Sequence, residues 1–122
     1  MDLIHQDITE QIIGAAFEVH SEMGYGFLER VYQRSMQVEL GIRGLKAEIE
    51  NRIKVYYKGH VVGEYAADIL VEDVVIIELK VAKEYNREDE AQLLNELKAT
   101  GIKVGLLINF GRTKVEFKRL VF

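Results

Sequence analysis

The chain has 122 residues, 48% hydrophobic and 30% charged, which suits one compact domain over residues 1–122 and excludes a disordered chain. It contains no cysteine, so a disulfide framework and thiolate metal sites are excluded. A formal net charge of −4 argues against broad adhesion to phosphate backbones, and any contact with nucleic acid must then come from local basic residues or from a metal.

From Leu3 to Met23 the apolar residues Ile4, Ile8, Ile12, Ala15, Ala16 and Val19 recur at three and four, the period of an amphipathic helix stopped by Gly24. No positively charged leader precedes an apolar run here, and no apolar stretch approaches the ~20 residues of a membrane span, so a soluble cytoplasmic protein is expected. His5, His20 and His60 have no carboxylate at ligand spacing and read as surface or packing residues. After a turn at Gly24-Tyr25-Gly26, a second helix is expected from Phe27 to Leu40, ended by Gly41, with Leu28, Val31, Met36 and Leu40 inward. Glu29, Tyr32 and Gln33 lie on adjoining positions of one side of it.

Leu45 to Lys58 alternates as a long strand closed by a Lys58-Gly59 turn, and Val61 to Leu70 and Val74 to Val81 follow as two more. The last two flank Glu72-Asp73 and form a hairpin. Side chains alternate across a strand, so Val74, Ile76, Glu78 and Lys80 share one face, and Val75, Ile77, Leu79 and Val81 share the other. Folding about Asp73 brings Asp68 opposite Glu78, on the face that carries Lys80. Both faces are apolar at the turn end, which marks a strand covered on both sides, where ionised groups are costly unless paired or bound to metal. An E-x-K in a strand also reads as a same-face ion pair with Asp68 as a solvated neighbour. A helix from Arg87 to Thr100, with Leu93, Leu94 and Leu97 inward, and strands at Lys103–Asn109 and Val115–Val121 complete the chain. The order predicts an α/β fold, a mixed five-stranded sheet with helices on its faces.

An Asp about ten residues upstream of E-x-K on a buried strand, here Ala67-Asp68 with Glu78-Leu79-Lys80, resembles the signature of the PD-(D/E)XK nuclease superfamily, without the proline of the name. Gly26-Phe27-Leu28-Glu29-Arg30-Val31-Tyr32 is a full G-x-x-E-x-x-Y, the motif of the GxxExxY family, a branch of that superfamily. The resemblance continues through Tyr57-Lys58-Gly59, Gly63-Glu64-Tyr65 and Asp68 to Glu72, then Ala91-Gln92-Leu93-Leu94-Asn95, and Val104 to Gly111 with Lys118-Arg119. It covers nearly the whole chain. Asp89 and Glu96 depart from the family pattern, which carries a His and an aromatic there, and both add negative charge to the glutamine-bearing helix, with substrate contacts the expected point of impact.

The resemblance implies a restriction-endonuclease-like αβββαβ core and a Mg²⁺- or Mn²⁺-dependent phosphodiesterase of nuclease type, acting on DNA or RNA. It implies that Asp68, Glu78 and the backbone carbonyl of Leu79 hold the cation, that Glu29 is an outer ligand, that Lys80 serves the attacking water, and that Gln92 holds water or a phosphate oxygen. Tyr32, Lys54, Lys83, Lys114 and Arg119 are candidate phosphate contacts. The alternatives are a non-catalytic interaction or nucleic-acid-binding module that keeps the nuclease fold, and a metal-binding regulatory subunit that needs a partner. A homodimer or partner protein stays open.

Overall fold

The structure, a computed structural model, describes residues 3–122. Helices α1 (Gln6–Met23) and α2 (Glu29–Ile42) precede strands β1 (Ala47–Tyr57), β2 (His60–Val71) and β3 (Val75–Lys80). Helix α3 (Glu88–Thr100) and strands β4 (Val104–Phe110) and β5 (Val115–Val121) follow. The sheet is five-stranded in chain order, with β3 and β4 parallel and all other neighbours antiparallel. The parallel pair needs a crossover, and α3 supplies it.

The alternation read along β3 decides the layers. Val75, Ile77 and Leu79 enter a core with Ile12, Ala15, Ala16 and Val19 of α1 and Tyr32, Met36 and Leu40 of α2. Ile76 points the other way, into a cluster with Leu93 and Leu97 of α3 and Leu107 of β4. Helices therefore cover both faces, and β4 is buried along its whole length. Each fully buried Leu or Ile contributes about 1.5–3 kcal/mol of transfer free energy. Helix α3 comes close to the sheet because Gly105 has no side chain, and a Cβ there would meet Leu93 Cδ1 at 3.0 Å. No described helix is long and apolar enough to cross a membrane.

Two sequence expectations about α2 change. Its buried residues are Tyr32, Gln33, Met36 and Leu40, whereas Leu28 is 79% exposed and Val31 only half-buried. Gly41 does not end it. The helix runs on to Ile42 and closes in a Schellman motif, in which Leu45 N–H donates to Leu40 O at 2.9 Å and Gly44 N–H to Gly41 O at 3.0 Å. Gly44 has φ 82°, with nothing within 4 Å of where a Cβ would stand. Gly44→Ala is thus a backbone-only test, expected to destabilise the protein by about 1–2 kcal/mol in urea unfolding. An unchanged midpoint would contradict the assigned cap.

The β2–β3 turn is centred on Glu72 and Asp73, with φ 51° and 59°, and Val74 N–H donates to Val71 O at 3.0 Å, the pattern of a tight hairpin turn. Pairing follows the expected register, Val71↔Val75, Leu70↔Ile76 and Ile69↔Ile77, and then stops. On its other side β2 stays paired with β1 out to Tyr57↔His60, but the ladder skips Glu50 and Asp68. Glu50 has φ 53°. On either side of it, Ile49 packs toward α1 and α2 while Ile53 packs toward α3, although equal parity would put both on one face of a regular strand. The sheet therefore twists at Glu50 and Asp68, and β2 parts from β3 at the same level.

Candidate metal and catalytic site

Where β2 and β3 part, the next step of the register sets Asp68 beside Glu78. Released from the ladder, Leu79 N–H donates to Asp68 Oδ2 at 2.8 Å, which fixes the carboxylate against β3. Its backbone is held from the opposite layer, since Gln33 Nε2 on α2 donates to Asp68 O at 2.8 Å. Gln33 is 6% exposed, one helical turn after Glu29. That spacing is the sequence signal that marks it as part of the site.

Glu78 is half-buried and Lys80 follows two residues later on the same face. Beyond Lys80 the chain is pinned by Asn109, whose Oδ1 accepts from Ala82 N–H at 2.9 Å and whose Nδ2 donates to Ala82 O at 3.0 Å. Asn109 is 2% exposed and pairs with Lys80 in the parallel β3–β4 register. Its sequence signal is a lone amide in an otherwise apolar strand.

The residues that sequence reasoning placed elsewhere are Asp89 and Glu96. Lys80 Nζ lies 3.9 Å from Asp89 Oδ1. Glu96 is 4% exposed on the sheet side of α3, and its carboxyl meets that of Glu78. Both changes therefore act on the candidate metal and catalytic groups themselves, not only on the expected substrate contacts. Glu78 Oε1 and Glu96 Oε2 are buried without a hydrogen-bond partner.

Burial pushes the Glu78 carboxyl up to about 10, helped by the adjoining Glu96 carboxyl and by the charge of Asp68. At neutral pH it holds a proton. Burial likewise raises Glu96, against the pull of its bond to Glu78 and of Lys80 and Gln92. Glu29, in the first turn of α2, is raised by partial desolvation and by Asp68 and Asp89, while Lys80 pulls it down. These couplings place Glu29, Asp68, Glu78, Lys80, Asp89 and Glu96 in one electrostatic unit, with carboxylates far in excess.

Gln92 is exposed one turn before Glu96, and its amide pulls the Glu96 carboxyl down. The outlying candidates separate. Tyr32 is fully buried, stacked on Phe110 with centroids 4.5 Å apart, and its hydroxyl donates to Gly24 O. That position leaves no surface for a phosphate and makes Tyr32 a core residue. Arg119 is held by α1 and the residues just before it, its Nη1 donating to Thr9 Oγ1 at 3.2 Å and its Nη2 to Ile4 O. Lys54 on the β1–β2 arm, Lys83 after β3 and Lys114 in the β4–β5 turn are exposed. His20 packs on Phe110 and bonds Gly111 O at 2.8 Å. A larger apolar groove of about 440 Å³, lined by Val19, Met23, Val31 and Val38 among others, lies between α1 and α2, away from these carboxylates.

Among the described residues, no three His, Asp or Glu side chains form a ready-made metal cage. The donor set nevertheless fits a hard divalent cation. It is all oxygen, it carries excess negative charge, and two of its buried oxygens are unsatisfied.

The family model of the PD-(D/E)XK nuclease superfamily matches residues 6–120. The crystal structure of SSO0001 superposes with a TM-score of 0.58 at 16% identity, over 94% of this chain and 58% of that one. The chain thus spans well under two thirds of that protein, and at this identity the likeness concerns the fold. No curated protein matches the sequence.

Proposed function

Since the chain belongs to the PD-(D/E)XK nuclease superfamily, we propose that it is a divalent-cation-dependent phosphodiesterase of nuclease type, with DNA or RNA as substrate. We assign it to the GxxExxY branch on the run Gly26 to Tyr32, with residues 1–122 as one nuclease-like domain and the cytoplasm as its compartment. The observation that carries the reading is the meeting of Asp68, Glu78 and Lys80 at the parted end of β2 and β3.

Asp68, Glu78 and the Leu79 carbonyl hold Mg²⁺ or Mn²⁺, which supplies Lewis-acid polarisation of a phosphate oxygen and lowers the pKa of water. Lys80 orients the attacking water and offsets charge on the phosphoryl oxygens in the transition state. Asp89 restrains Lys80 in the resting protein and yields it to the substrate phosphate. Glu29 reaches the same centre from α2 through water, and Gln92 holds a phosphate oxygen or water from α3. Of the candidate phosphate contacts, Lys54, Lys83 and Lys114 are exposed and bind backbone phosphates.

The second reading, a non-catalytic module on the same fold, is favoured by the net charge of −4 and by the Lys80–Asp89 pair. The two part in one assay. Purified protein is incubated with single-stranded and duplex DNA and RNA in Mg²⁺ and, separately, Mn²⁺, beside Glu78→Ala. Cleavage by the wild type that disappears in Glu78→Ala supports the enzyme. No turnover on any substrate with either ion would hand the case to the module.

A further inference from the structure

Glu96 is 4% exposed, and an ionised carboxylate this deep is costly unless something positive or a hydrogen-bond donor satisfies it. Its Oε2 has no partner. The cation nearest in charge terms, Lys80, is 3.9 Å from Asp89, and the groups that Glu96 does meet are Glu78 and Gln92. An apolar side chain would fill this place on the Leu93 and Leu97 face at no electrostatic cost. A buried acid set against Glu78 and in the field of the Asp68 charge, with an oxygen left over, is instead what a cation site looks like before the ion closes it.

We propose that Glu96 is a direct third carboxylate ligand of the bound divalent cation, so that the ion ties α3 to the sheet through Asp68 of β2, Glu78 of β3 and Glu96 of α3. The inference rests on the cation-dependent reading above and adds a cation ligand on α3, the helix from which that reading takes only Gln92. Three carboxylates outweigh the charge of one divalent ion, and charge count raises affinity for hard cations. The ion would replace the Glu78–Glu96 contact with two ligand bonds.

The absence of cysteine from the chain allows a ligand-specific test. Glu96→Cys introduces the sole thiol, and a thiolate prefers Cd²⁺ to Mg²⁺ or Mn²⁺. Titrating Cd²⁺ into E96C should produce the ultraviolet charge-transfer absorption of a Cd–thiolate bond, at one equivalent, and it should vanish when Asp68→Asn is added. In parallel, calorimetry should show Mn²⁺ binding to wild type weakened about tenfold or more in Glu96→Gln, equivalent to 1.4 kcal/mol. Wild-type binding with unchanged affinity in Glu96→Gln, or no thiolate band in Cd²⁺-saturated E96C, would overturn the Glu96 ligand and leave the Asp68–Glu78 site standing. No Mn²⁺ binding by the wild type would overturn both.

Discussion

Glu78→Gln should stabilise the metal-free protein, and by more as pH rises. The folded state holds the Glu78 proton up to about pH 10, against 4.5 for an ordinary Glu carboxyl. Between these limits unfolding releases a proton. A carboxyl with a raised folded pKa contributes stability that is fully present below the unfolded pKa and is lost as pH climbs through the folded one, so wild-type stability should fall by about 1.4 kcal/mol per pH unit above the ordinary Glu range. By about pH 7 the accumulated loss is on the order of 3 kcal/mol, roughly 10 °C in melting temperature for a chain of this size. Gln does not titrate, and its amide can donate to Glu96 as the protonated acid does, so the variant should lack that slope. Urea unfolding in EDTA at about pH 5, about pH 7 and about pH 9 measures it. Parallel pH profiles for wild type and Glu78→Gln would show that the buried proton sits elsewhere. The raised Glu29 and Glu96 carboxyls act in the same direction, so the variant's profile should be flatter than wild type without becoming flat.

The register behind this argument was legible because strand periodicity is short and strict. Alternation on β3 and a turn centred on Asp73 were enough to set Asp68 against Glu78, and Ile69↔Ile77, the last pair of the ladder, keeps that register. Helix α2 was harder, because it carries two apolar stripes. Leu28, Val31, Val38 and Ile42 repeat at near-heptad spacing, as do Tyr32, Met36 and Leu40 at fours, and only packing against β3 and Phe110 selects the second. The exposed stripe includes Ile42 at 75% and Val38 at 64%. Glu96 could have been found from its position, three residues after Leu93 and one before Leu97, which puts an acid on the inward face of α3. The Lys80–Asp89 pair could not, since it depends on how the crossover lays α3 over the end of β3. Nor could the loss of Arg119 to Thr9 and Ile4, a tie spanning nearly the whole sequence. Local period locates elements and faces; which of two plausible faces is buried is a tertiary fact.

Lys80→Ala should leave the fold and the cation site intact and cut phosphodiester cleavage by about 10² or more, the loss expected when a charge used at the transition state is removed. Little stability should change. The Lys80 side chain is 36% exposed and its only ion pair among the described residues, with Asp89, is long at 3.9 Å, and a pair so exposed contributes on the order of 0–1 kcal/mol. The same weakness suits Lys80 to its proposed task, because a substrate phosphate can draw the ammonium away from Asp89 at small cost. Asp68, Glu78 and Glu96 all remain in the variant, so Mn²⁺ affinity should hold or rise as a neighbouring positive charge disappears. An interaction module would respond differently, with no turnover in the wild type and a loss of nucleic-acid affinity worth about one phosphate contact, seen as a reduction of about one in the salt-dependence slope. The measurement is a single-turnover cleavage rate at saturating Mn²⁺ beside a salt-dependent binding isotherm, both on wild type and Lys80→Ala. Equal cleavage rates in the two proteins would remove Lys80 from the chemistry and leave Asp68, Glu78 and Glu96 to carry it.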